Sequence, residues 1–87
     1  MFVIVTYDIN EKRVDKVRRI LRRYLSWVQN SVFEGEITIG KLEKCKKELQ
    51  FVIVPEEDSI YFYIIENKNN YIKNVLGIEK DLDSYVY

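Results

Sequence analysis

Histidine is absent from this 87-residue chain, and cysteine and proline occur once each. Without histidine no nucleophile–histidine–acid triad can form. The lone Cys45 allows neither an internal disulfide nor a paired-cysteine zinc site. Gly35, Gly40 and Gly77 are the only glycines, and they stand too far apart for a phosphate-cradling loop. No apolar run is long enough to span a bilayer, and no basic region precedes the N-terminal one, so neither a signal peptide nor a membrane partner is expected, and the reading is a soluble cytoplasmic protein. Formal net charge is zero, so the overall balance points to no anionic partner. The chemistry that remains belongs to carboxylates and basic side chains.

What is present is polarised. All five arginines lie between residues 13 and 23, and residues 12–23 also hold Lys12 and Lys16 against a single acid, Asp15. Residues 48–66 hold five acids and no base. Local fields of this kind matter for binding even when the total cancels. Apolar residues make up 47% of the chain and aromatics 14%, with seven tyrosines. One domain over 1–87 is all this length accommodates, and its core is marginal, which oligomerisation commonly offsets.

FVIVTYDI, residues 2–9, is an apolar, β-branched run that suits a strand buried on both faces. Asn10 reads as a helix N-cap with Glu11 in the first turn. A helix over about 11–25 follows, with Val14, Val17, Leu21 and Tyr24 as its core stripe and Ile20 beside it. WVQNSVFEGEI, 27–37, is strand-like, with a bend near Asn30–Ser31 or Gly35. Thr38 caps a second helix over about 39–53, striped by Leu42, Cys45, Leu49 and Val52 and stopped by Pro55. Cys45 there reads as a small core residue. SIYFYIIE is a strong strand, YIKNVLGI (71–78) a weaker one, and DSYVY alternates like a short strand at the tail. Two βα units closing on strands predict an α+β fold, a ferredoxin-like βαββαβ sandwich with an extra C-terminal strand. The middle hairpin has only about eleven residues for two strands. In that fold both helices cover one sheet face. Tyr61, Tyr63 and Ile65 alternate onto the other, so a homodimer joined through the sheet faces is expected.

Asp8 ends the first strand beside the basic helix. It either accepts hydrogen bonds from the turn at 9–11 or ligates a hard cation such as Mg2+. One aspartate per chain is thin for a metal, and two meeting across a dimer axis would suffice. Lys12, Lys16, Arg19 and Arg23 share a helix face that either binds phosphates or is simply solvated. Tyr7, Trp27 and Phe33 are candidates for stacking on bases, with core or dimer packing the alternative for Tyr7 and Phe33.

VTYDI, the basic helix, VQNSVFEGEIT at 28–38 and PEEDSIYFYII through LGI together resemble the family of CRISPR-associated protein two, over about residues 1–78. The resemblance implies ferredoxin-like homodimers whose tail strand, here about 79–87, often adds to the partner's sheet. It implies a role in adaptation (spacer acquisition), in which the dimer bridges copies of the CRISPR integrase and holds incoming DNA. It also implies a magnesium-dependent endonuclease acting on RNA or duplex DNA, with one first-strand aspartate from each subunit on the metal. That position is Asp8, preceded by Tyr7, and Ser31 and Phe33 fall in the matching SVFEG segment. Many members carry arginine where this chain has Trp27. Two other readings stand beside the enzyme: a non-catalytic structural DNA-binding adaptor of the integrase, and a toxin-like ribonuclease of the same fold.

Overall fold

The computed structural model describes residues 1–67 and 70–78. Its elements are β1 (Phe2–Asp8), α1 (Val14–Arg22), β2 (Ser26–Gln29), β3 (Val32–Glu36), α2 (Ile39–Gln50), β4 (Ser59–Asn67) and β5 (Asn70–Gly77). The sheet runs β2-β3-β1-β4-β5, and every neighbouring pair is antiparallel. The first four strands have the expected ferredoxin-like order, and β5 adds an edge beyond β4. β1 takes the centre because it is apolar on both faces. Its Val3, Val5 and Tyr7 are buried with Val17 and Leu21 of α1 and Leu42, Cys45 and Leu49 of α2. Both helices therefore cover one face of the sheet. The tail strand expected over 79–87 lies outside the described residues.

The short middle hairpin resolves into two strands because Asn30 turns the chain with φ +39°. Asparagine tolerates that left-handed conformation better than other residues with a side chain. β2 has only four residues, with a register shift between Trp27 and Gln29.

Both helices are shorter than their apolar stripes predict. The Asn10 carbonyl accepts from the Arg13 and Val14 amides, at 2.8 and 3.1 Å, and its side chain accepts from Lys12 N at 3.0 Å. Asn10 thus organises a turn, and α1 starts after it at Val14. At the start of α2, Thr38 Oγ1 accepts from Lys41 N at 3.2 Å, as a capping residue should. α2 ends at Gln50, ahead of a loop tied down by Asp58.

Candidate functional site

The carboxyl end of β1 meets the amino ends of β3 and β4, the β2–β3 turn and the last residue of β5. Asp8 sits on this rim, exposed, directly opposite Ser59 in the β1–β4 register. Strand alternation places Asp8 with Phe2, Ile4 and Thr6, on the face away from the helices. Tyr7 points the other way. Its backbone N–H donates to the Ser31 carbonyl at 3.1 Å, so the hairpin turn fixes the strand just before Asp8.

Asp58, immediately before β4, is fully buried on the helix side. Its carboxylate accepts from Arg13 Nε at 2.6 Å, Arg13 Nη2 at 3.0 Å, and the amides of Asn10 and Val54, each at 2.9 Å. Burial by itself would raise this carboxyl; the Arg13 guanidinium and the two backbone donors outweigh it and hold the group at about 2. These bonds anchor the turn that leaves Asp8. Neither residue stands out in the sequence. The signal available was the last acid of PEEDS, set directly before a strong strand, and one arginine of the cluster, Arg13, standing outside the helix-face pattern.

One chain offers a cation few ligands. Among the described residues no group of three or more His, Cys, Asp or Glu side chains gathers. Asp58 is engaged by its four donors and faces the helix side of the sheet. Beside Asp8, however, the buried Ser59 Oγ has no hydrogen-bond partner. A buried polar atom left unpaired is uncommon enough to need a reason. A single carboxylate next to an unused hydroxyl is compatible with magnesium, which keeps most of its waters, when a second carboxylate comes from another copy.

On the same face, Tyr61 and Tyr63 lie stacked with centroids 6.4 Å apart. Tyr61 is only 1% exposed within the single chain, so that position is already covered without a second subunit. Tyr63 and Ile65 are half-buried, as are Phe2 and Ile4 of β1.

The basic face lies on the opposite layer. Lys16, Arg19 and Arg23 are exposed on α1 and line a shallow depression floored by Ile20 and Val52. Lys12 belongs to the turn before α1, nearer the rim. Arg23 pairs with Glu48 of α2, and Tyr24 Oη donates to the same carboxylate. Those two contacts, Tyr24 foremost, hold Glu48 below its usual range.

Of the aromatic candidates, Phe33 is fully buried and Tyr7 is 6% exposed, with ring centroids 6.1 Å apart. Tyr7 Oη accepts from Arg18 Nε at 3.0 Å. Both rings therefore pack in the core and present no face to a base, because their strand positions point at the helices. Trp27 is 56% exposed, and its indole N–H donates to the Asn30 carbonyl at 2.9 Å. Ser31 is half-buried in the hairpin turn. Cys45 is buried, and burial pushes its thiol up to about 12, as suits a core residue.

No helix among the described residues is long and apolar enough to cross a membrane. The family model described as CRISPR associated protein Cas2 matches residues 1–71. A protein named CRISPR-associated endoribonuclease Cas2 3, from Thermodesulfovibrio yellowstonii, is 67% identical over 81 residues, covering 93% of this chain and 92% of its own. The CRISPR-associated endoribonuclease Cas2 of Thermotoga maritima is 47% identical over 87 residues, the whole of both chains. A crystal structure of a Cas2 protein superposes with a TM-score of 0.73 at 44% identity, over 92% of this chain and 90% of that one. Streptococcus pyogenes Cas2, crystallised at pH 6.5, gives a TM-score of 0.70 at 39% identity, over 79% and 89% of the two chains. With the ferredoxin-like order, the rim aspartate and these matches together, the chain belongs to the CRISPR-associated Cas2 family.

Proposed function

We propose that this chain is a nucleic-acid-binding protein of CRISPR adaptation that acts as a homodimer and cleaves phosphodiesters with magnesium. The observation that carries the reading is the position of Asp8: exposed, at the rim of the sheet face that the helices leave open. The endoribonuclease names of the relatives support a nuclease. Phe2, Ile4, Tyr63 and Ile65 give that face an apolar, half-buried surface, which favours pairing with the same face of a second copy. Such pairing brings two Asp8 carboxylates to one rim. Asp8 and the partner's Asp8 would hold the ion, with Ser59 beside it. Magnesium bound there supplies a water of lowered pKa as nucleophile. Asp8 orients that site, and the turn at 10–13, locked by Asp58, keeps the carboxylate in place. The α1 stripe of Lys16, Arg19 and Arg23, with Lys12 nearer the rim, holds phosphates of DNA or RNA. Bridging to the CRISPR integrase uses the same dimer.

The adaptor reading draws support from Asp8 standing, among the described residues, outside any group of three or more metal-ligating side chains. Purified wild type and Asp8→Asn, assayed with RNA and duplex DNA, separate the two. Magnesium-dependent cleavage by wild type and none by the variant supports the nuclease. No cleavage by either protein leaves the adaptor. A native mass matching a monomer at micromolar concentration removes the shared site altogether.

A further inference from the structure

Two shallow depressions on the helix layer share Arg23. One is lined by Lys16, Arg19, Ile20, Arg23 and Val52. The other brings Arg23 and Tyr24 together with Lys41 and Lys44, at the start of α2. Adjoining at Arg23, they make up a groove from α1 onto α2 that is basic apart from Glu36 in the second depression. Building on the phosphate-binding reading above, we propose that this groove binds a single nucleic-acid strand at a site separate from Asp8. Lys41 and Lys44 extend the line of phosphate contacts, and Phe51 is the platform on which a base stacks.

The electrostatics favour a polyanion. Glu36, which lines the second depression, pairs with the N-terminal ammonium at 3.3 Å, and Glu48 is held by Tyr24 and by Arg23, whose own charge that pairing offsets. Lys16, Arg19, Lys41 and Lys44 are exposed. A phosphate backbone complements such a row, because each contact releases condensed counterions.

Strandedness follows from the apolar parts. The floor is Ile20 and Val52, and the neighbour of Val52, Phe51 at the end of α2, is 92% exposed. A duplex keeps its base faces hidden. A single strand offers them, and aromatic side chains beside a basic groove are how proteins engage such strands without reading sequence. The sheet separates this groove from Asp8, which lies on the other face. A strand seated here is therefore held, and is not positioned for cleavage.

The test is fluorescence anisotropy with labelled oligothymidine, and with a duplex of equal length, over a range of salt. Phe51→Ala should weaken oligothymidine binding roughly five-fold or more and leave the duplex unchanged. Phe51→Tyr should restore the lost affinity. Lys41→Ala with Lys44→Ala should flatten the single-strand salt slope by roughly 1.4. Wild-type oligothymidine binding by Phe51→Ala, or an unchanged slope in the lysine pair, overturns the groove. Arg19→Ala with Arg23→Ala then separates the two claims. A flatter slope in that variant keeps the α1 phosphate stripe while the groove fails, and an unchanged slope removes both.

Discussion

The Arg13 guanidinium grips the buried Asp58 carboxylate at two points, Nε to Oδ2 at 2.6 Å and Nη2 to Oδ1 at 3.0 Å. With the Asn10 and Val54 amides on the same carboxylate, one side chain joins the exit of β1, the approach to α1 and the entry to β4. This is why the strand that carries Asp8 ends in a defined turn.

Asp58 makes stability pH-dependent in a definite direction. Its folded value, about 2, lies below its ordinary 3.8. The stabilisation is therefore fully present above about pH 4 and is lost as pH falls from there toward 2. The shift corresponds to about 2 kcal/mol. Asp58→Asn should cost roughly 1–3 kcal/mol at neutral pH, because it removes the charge from a buried carboxylate that accepts four hydrogen bonds, while Arg13 keeps Glu57 at 3.0 Å. The variant should also lose most of the acid dependence in that window. Urea melts between neutral pH and pH 2 check both, and an equally steep acid limb in the variant would contradict the assignment.

Gly77 ends β5 against the same residue. Its φ is +94°, and a Cβ there would lie 1.8 Å from the Asp58 carbonyl oxygen. That oxygen is backbone, and it accepts from Ile78 N at 3.0 Å, so it has little freedom to move aside. Gly77→Ala should destabilise by at least 1–3 kcal/mol, roughly the cost of the backbone strain alone. Gly40, within α2, has nothing within 4 Å of its missing Cβ. Gly40→Ala should instead stabilise by about 0.5–1 kcal/mol through helix propensity and unfolded-state entropy. Paired thermal melts decide, and equal shifts in the two variants would refute the contact at Gly77.

Ser59 carries an unpaired, buried hydroxyl next to Asp8. Without metal that hydroxyl is a liability, so Ser59→Ala should gain on the order of 1 kcal/mol. Urea melts in chelator read this directly. A loss of similar size would mean that the hydroxyl already has a stabilising role in the metal-free chain.

The fold was legible because its periodicities are strong. The stripe Val17, Leu21, Leu42, Cys45 and Leu49 and the alternation of Ile60, Phe62 and Ile64 correspond to the buried residues. Helix ends were less legible. The start of α1 depends on a carboxylate 48 residues away from Asn10, and no local propensity reports that. Tyr7 and Phe33 show the same limit: their motif drew attention, while their strand positions turn both rings into the core. Asp8 was visible as an acid ending an apolar strand. Its separation from the basic stripe by the thickness of the sheet emerges only from the topology. Asp58 is not legible in the same way, because a buried, paired carboxylate looks in sequence like any acid in a polar turn.

The central claim is that Asp8 holds a cation shared by two copies of this chain. Thermal melts of wild type and Asp8→Asn, each with and without magnesium, test it most directly. Two carboxylates brought together repel without metal, and bound metal stabilises the folded dimer by mass action. Magnesium should therefore raise the melting temperature of wild type and leave Asp8→Asn unmoved, while the variant keeps its fold and is at least as stable as wild type in chelator. An equal magnesium response in the two proteins would contradict the account.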